Sequence, residues 1–294
     1  MSRNPARRPR PTDRERPHIP TLGTACLQIR NALGISRATA YLRHSVSTTY
    51  LAAIENDRVL PSLEVLDQLI TGYRCDPHQA RYLRELRVPA VDLEPPGKLR
   101  QLVAGDSTLM AQLADLTHRG ILAAYVDPLW NILACNDGFR AALPGIEAAT
   151  DCIPAWLFIP AARQVLVEWE AETARAIATT KPVLARYRDS IQVHDIMRRL
   201  APNKDFQRLW TPNVEVIYGR PVTDLLHIRD PNTGTLTSLH LVIAEQGQPY
   251  NIQLLIATPQ PYSGPPDHKK ILNTPTRHTG DEPEQPSPAH DPGR

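Results

Sequence analysis

Residues 36–58 read Ser36-Arg37-Ala38-Thr39-Ala40-Tyr41-Leu42-Arg43-His44-Ser45-Val46-Ser47-Thr48-Thr49-Tyr50-Leu51-Ala52-Ala53-Ile54-Glu55-Asn56-Asp57-Arg58. Ser36 and Ser47 can each cap a helix, because a hydroxyl accepts hydrogen bonds from the first-turn N–H groups that lack a helical partner. The helix after Ser36 then reaches Arg43 and the helix after Ser47 reaches Asn56, leaving His44, Ser45 and Val46 as the turn. Two short helices joined this closely predict a helix-turn-helix. Upstream, Leu22, Cys26, Ile29 and Leu33 recur on one helical face, and Gly34 ends that run. Downstream, Pro61-Ser62 opens a helix with Leu66, Leu69, Ile70 and Tyr73 as its apolar stripe, and Pro77 opens another with Tyr82, Leu83 and Leu86. Together these predict an all-α five-helix domain over residues 21–88.

Residues 89–103, with Pro95-Pro96 inside them, read as a linker. Beyond it the pattern changes. Ile121–Val126 and Trp130–Cys135 are β-rich runs around an Asp127-Pro128 turn, and Asn136 can cap a helix carrying Phe139 and Leu143. Pro160 opens a long helix in which Leu166, Trp169, Thr173 and Ile177 share a face, and a further helix covers Tyr187–Leu200. Three strand-like runs follow, at 224–229, 235–244 and 251–258, separated by Asp230-Pro231-Asn232-Thr233-Gly234 and Glu245-Gln246-Gly247-Gln248-Pro249. Strands at both ends with helices between predict a second, α+β domain with an antiparallel sheet over residues 104–258.

Composition bounds the rest. The chain has 294 residues, 41% hydrophobic and 22% charged, enough for two domains each with a core. Five of its 29 prolines lie in residues 1–20 and nine in 259–294, so an Arg/Pro-rich disordered tail is expected at 1–20 and a Pro-rich one at 259–294. Residues 1–90 carry 14 Lys+Arg against 8 Asp+Glu, whereas the remainder carries 19 against 23. A basic first third on an acidic body is the asymmetry of a protein whose one end meets a polyanion. The arginines of the first tail (Arg3, Arg7, Arg8, Arg10, Arg14, Arg16) suit phosphates or a minor groove, and equally a solubilising tail. The four cysteines form no C-x-x-C pair, so no metal site or disulfide framework is expected. The apolar runs fall far short of the roughly 20 residues of a membrane span, and no signal segment follows the N-terminus, so a cytoplasmic protein off the membrane is expected. No nucleophile motif, phosphate loop or paired-histidine motif appears, and the expectation is that the protein is not an enzyme.

Val46–Arg58 followed by Pro61-Ser62-Leu63-Glu64-Val65-Leu66 resembles the XRE family of phage-repressor-like DNA-binding domains, over roughly Leu22–Leu86. The resemblance implies double-stranded DNA as partner. It places Ser47, Thr48, Thr49, Tyr50 and Ala53 on or beside the reading face and makes Arg37, Asn56 and Arg58 candidates for phosphate contact. It also implies an ion pair between Arg30 and Glu55. The sequence departs from the family at Ser45, where glycine is usual, and at Ala40-Tyr41, where the large ring predicts altered packing of the second helix on the third.

The second domain resembles the ligand-binding domain of MmyB-like regulators, a PAS-like fold, over roughly Ala104–Thr258. The resemblance rests on the hairpin leading to Asn136, on Trp156-Leu157-Phe158 with Pro160 ahead of Trp169, on Phe206 and Trp210, and on Pro231-x-x-Gly234-x-Leu236. Cys135, Ile159 and Asp230 depart from it. It implies a small apolar ligand, for example a fatty acid, between the sheet and its helices, and no other cofactor. Trp156, Phe158, Trp169 and Trp210 are the candidate ligand contacts, and each serves as readily as plain core. The combined expectation is a ligand-responsive DNA-binding transcription regulator, with a homodimer left open. The alternative is a protein-interaction module on a C-terminal dimerisation scaffold without a ligand.

Overall fold

The computed structural model describes residues 17–210, 214–246 and 251–266. Of the tails expected at 1–20 and 259–294, residues 1–16 and 267–294 lie outside the described residues, as does Gly247–Pro249 of the last expected turn, whereas Ile19 packs against a core cluster.

Five helices come first: α1 (Leu22–Ala32), α2 (Arg37–His44), α3 (Thr48–Glu55), α4 (Leu63–Gly72) and α5 (Pro77–Arg87). Their starts are set locally. Thr21, Ser36, Ser47, Ser62 and Asp76 each accept a backbone N–H of the first turn, and Thr21 and Asp76 complete capping boxes with Thr24 and Gln79. Ser45 adopts a left-handed conformation (φ 57°) between α2 and α3, where glycine would be unstrained. Cys26, Leu51, Leu66, Leu69 and Leu83 close the core. Gly23 lets α1 approach α3, for a Cβ there would lie 2.3 Å from the Ile54 carbonyl oxygen. Tyr41 is half-exposed while Ala40 is fully buried, so the large ring sits outside the core of α1–α5. Leu33, expected on the buried face of α1, is instead its half-exposed C-cap.

The expected linker is largely structured. Val91 N–H donates to the Arg186 carbonyl and Gln192 Nε2 to the Leu93 carbonyl, laying the chain along later helices. Pro95 and Pro96 then start α6 (Pro96–Gly105), since proline suits the first helical turn, where its missing N–H has no partner to lose. A second helix the sequence reading omitted, α7 (Ser107–His118), follows.

The sheet comprises β1 (Leu122–Val126), β2 (Ile132–Cys135), β3 (Leu226–Arg229), β4 (Leu236–Gln246) and β5 (Ile252–Gln260), all pairs antiparallel, in the order β2-β1-β5-β4-β3. β5 thus enters the stretch read as a tail. On β1, Ala123 and Tyr125 face α6 and α7, whereas Ala124 and Val126 face the opposite helices. Burial on both faces explains why this strand reads as a continuous apolar run. The β1–β2 turn is held by buried Asp127, whose carboxylate accepts from Leu129 N, Asn131 N and Asn131 Nδ2 at 2.8–2.9 Å.

Between β2 and β3 lie α8 (Asp137–Ala142), α9 (Ile153–Trp156), α10 (Pro160–Val165), α11 (Trp169–Arg186), α12 (Ile191–Leu200) and α13 (Lys204–Trp210). The single long helix expected from Pro160 is two. At Leu166 and Val167 the backbone leaves the helix and pairs with β3, Val167 N–H donating to the His227 carbonyl. The five N-terminal helices and the sheet belong to one compact unit ending at Gly264.

Candidate functional site

Two regions carry the expected site residues. The first is α3. Leu51, Ile54 and Glu55 turn into the core, leaving Thr48 and Thr49 exposed at the first turn and Ala53 half-buried behind them. Ser47 Oγ accepts the Tyr50 N–H at 3.2 Å, so its first role is the cap. Tyr50 packs against the core at its edge. Asn56 Nδ2 donates to the Ala52 carbonyl at 2.6 Å, closing the end of α3, and Arg58 is exposed beyond it.

Glu55 gathers two arginines. Arg30 donates through Nε at 2.5 Å and Nη2 at 3.1 Å, and Arg37 donates through Nε at 2.7 Å. The hydrogen bond to Glu55 raises the Arg30 pKa, against the opposing effect of burial. Two guanidinium groups on one carboxylate leave a net positive charge, reaching solvent through the partly exposed Arg37. Arg37 is therefore tied to the fold as well as available at its edge. The sequence reading missed Asp57. Its carboxylate accepts Gly23 N–H at 2.9 Å and the Thr21 hydroxyl at 2.6 Å, fixing the start of α1 to the end of α3. Its partners lie 34 and 36 residues earlier in the chain, beyond the reach of any local sequence pattern.

The second region is an apolar crevice walled by α9, α11, α12 and α13. Phe158, Ile177, Leu184, Leu200, Phe206 and Trp210 line most of it, with Thr180 beside them. The Phe206 ring meets Phe158 edge-on at 5.4 Å and Trp210 at 5.0 Å. The cavity is about 10 Å³, near the minimum for one water. It lies among helices, not between them and the sheet as the resemblance implied. Of the four expected aromatics, Phe158 and Trp210 line it. Trp156 and Trp169 belong to the core under the sheet, where their indole N–H groups donate to the Pro144 and Leu157 carbonyls at 2.9 and 2.7 Å. Buried Trp N–H groups so satisfied read as structure. Lys181 was not anticipated. Its Nζ lies 5.3 Å from the centre of the Trp210 ring, and burial pulls its pKa down to about 8 while Glu215 opposes the shift.

A family model described as the MmyB-like transcription regulator ligand binding domain matches residues 110–272. The chain belongs to that family. The match begins inside α7 and includes all five strands, so the MmyB-like domain contains the sheet and the crevice, while α1–α5 precede it. Membership marks the chain as a transcription regulator with a ligand-binding domain. No curated protein matches the chain. Among the described residues no cluster of metal-binding side chains occurs, and no helix is long and apolar enough to cross a membrane.

Proposed function

We propose that this MmyB-like regulator binds a specific double-stranded DNA sequence through α2 and α3, acting as an XRE-type helix-turn-helix, and that a small apolar molecule entering the crevice alters that binding. The observation carrying the reading is the geometry of α3. Its inner residues are locked in the core and its first-turn threonines are exposed, as required of a helix that meets base edges with its N-terminal end. Threonine offers one hydroxyl and one methyl to a base edge, so Thr48 and Thr49 give modest direct readout, with Arg37 and Arg58 supplying backbone contacts. The basic balance of residues 1–90 supports the same partner. No catalysis and a cytoplasmic site of action complete the proposal.

Selection from a random duplex library with the full chain tests it. One enriched motif, bound less tightly as salt rises, is the expected result. Uniform binding of all sequences, or none, contradicts it.

A scaffold without a ligand has one observation in its favour, the closed state of the crevice, because a drug-sized ligand needs roughly 300 Å³ or more. Denaturing mass spectrometry of an organic extract of the purified protein separates the readings. A co-purifying amphipathic molecule supports the sensor; its absence, with no melting shift on adding C8–C18 fatty acids, supports the scaffold.

A further inference from the structure

Pro182 stands inside α11 without an N–H, so the carbonyl of Ala178, one turn earlier, loses its helical partner. The N–H of Ile217 takes that place, at 3.1 Å. The same short segment grips the N-terminal helices from the other side. Val216, 4% exposed, enters the core of α1–α5 beside Ala185 of α11. Gln79 Nε2 of α5 donates to the Val214 carbonyl at 3.3 Å. The Tyr218 hydroxyl donates to Glu85 of α5 at 2.6 Å, and the Arg81 guanidinium lies 3.8 Å above the Tyr218 ring. Just beyond, Arg220 makes a two-pronged bond to Glu172 of α11 at 2.7 and 2.9 Å, fixing the downstream end. At the upstream end, Trp210, a wall of the crevice, precedes Val214 by four residues.

We propose that Val214–Tyr218 is a clasp carrying the state of the crevice to α5, with Pro182 creating its seat; this rests on the ligand reading above. A cavity of about 10 Å³ has to widen to admit any ligand, and its walls are unequal. α11 packs against α5, α9 and α13, and the short α9 is held between α11 and α12, whereas the seven-residue α13 packs chiefly against α11. Widening therefore displaces α13, whose last residue, Trp210, stands only four positions before Val214 in the chain. Close-packed interiors answer such displacement by shifting between discrete arrangements, and a coupling element has to be biased by both sites. Val216 and Tyr218 meet that condition, since they bind α5 while joined to the crevice wall.

Hydrogen–deuterium exchange of the full chain, with and without dodecanoate, tests the clasp. In the unmodified protein dodecanoate is expected to slow exchange in Lys204–Trp210 and to change it in Pro77–Arg87. Pro182→Ala restores the helical N–H that competes for Ala178, and Val216→Ala removes the core contact. Both are expected to keep the α13 response and lose the α5 response. Tyr218→Phe, which deletes one oxygen, is expected to weaken it and serves if either of the others fails to fold. An α5 response that persists unchanged in the variants, or is absent from the unmodified protein while α13 responds, overturns the clasp alone. No response at α13 in the unmodified protein overturns the ligand reading, and the clasp as a transmitter with it.

Discussion

Arg30 of α1 and Glu55 of α3 form a buried ion pair with two hydrogen bonds, at 2.5 and 3.1 Å, and the Glu55 side chain has no exposed surface. Arg37 adds a third bond to the same carboxylate, so Glu55 joins three helices. Removing one member of such a group leaves the others desolvated and unpaired. Glu55→Gln is therefore expected to destabilise the N-terminal helices by about 3–5 kcal/mol, against about 1 kcal/mol or less for an exposed pair. Urea unfolding followed by helix content measures it. An unchanged midpoint would mean that the pair contributes nothing net.

His44 gives a pH dependence of definite sign. Its Nδ1 accepts the Val46 N–H at 3.0 Å in the turn between α2 and α3, its ring meets Tyr73 edge-on at 5.4 Å, and burial lowers its pKa, with the Glu55 charge opposing. The folded protein thus binds this proton less readily than the unfolded chain. The contribution is fully present above about pH 6.5 and is lost as pH falls through the lowered folded value. Between pH 7 and pH 5 the unmodified protein is expected to lose more stability than His44→Phe. Parallel pH profiles would exclude His44 as the cause.

Much of this architecture is written locally and some of it is not. Ser36, Ser47, Ser62 and Pro77 mark helix starts because a cap needs only residues within one turn. The unbroken apolar run at β1 reveals a strand covered on both faces. The break at Leu166–Glu168 was illegible, because the apolar spacing through Trp169 and Ile177 continues across it while the backbone pairs with β3, far along the chain. Pro95-Pro96 resembled a linker because proline both opens helices and interrupts them. Phe158 and Trp210 look the same in sequence as Trp156 and Trp169. Only tertiary packing divides crevice from core, and the Lys181, Ile217 and Asp57 contacts depend on it as well.

On α3, exposed Thr49 and exposed Arg58 have different proposed tasks. Thr49→Ala is expected to relax discrimination at one base position, by about 1–3 kcal/mol at most. Arg58→Ala is expected to weaken all sequences alike and to lower the salt slope by about one unit. Titrating a panel of single-base variants of the selected site at several salt concentrations distinguishes them. Equal effects from the two substitutions would contradict this orientation of α3.

One core aromatic and one crevice aromatic separate stability from recognition. Trp169 is core, with its N–H satisfied by Leu157, and Trp169→Ala is expected to cost about 3–5 kcal/mol of folding stability whether or not a ligand is present. Phe158, half-buried at the crevice, is expected to cost less as Phe158→Ala and to change the melting shift caused by dodecanoate. Calorimetry with and without dodecanoate reads both effects. A shift that Phe158→Ala leaves untouched would place the ligand elsewhere.

A ligand that binds two states equally shifts neither, so regulation requires the crevice to differ between DNA-competent and DNA-incompetent forms. The most direct measurement is the affinity of delipidated full-length protein for its selected DNA site, at fixed salt, with and without saturating dodecanoate. A change of roughly 5- to 150-fold, corresponding to about 1–3 kcal/mol of coupling, is the expected result. An affinity that stays constant while dodecanoate demonstrably occupies the crevice would contradict ligand-controlled DNA binding.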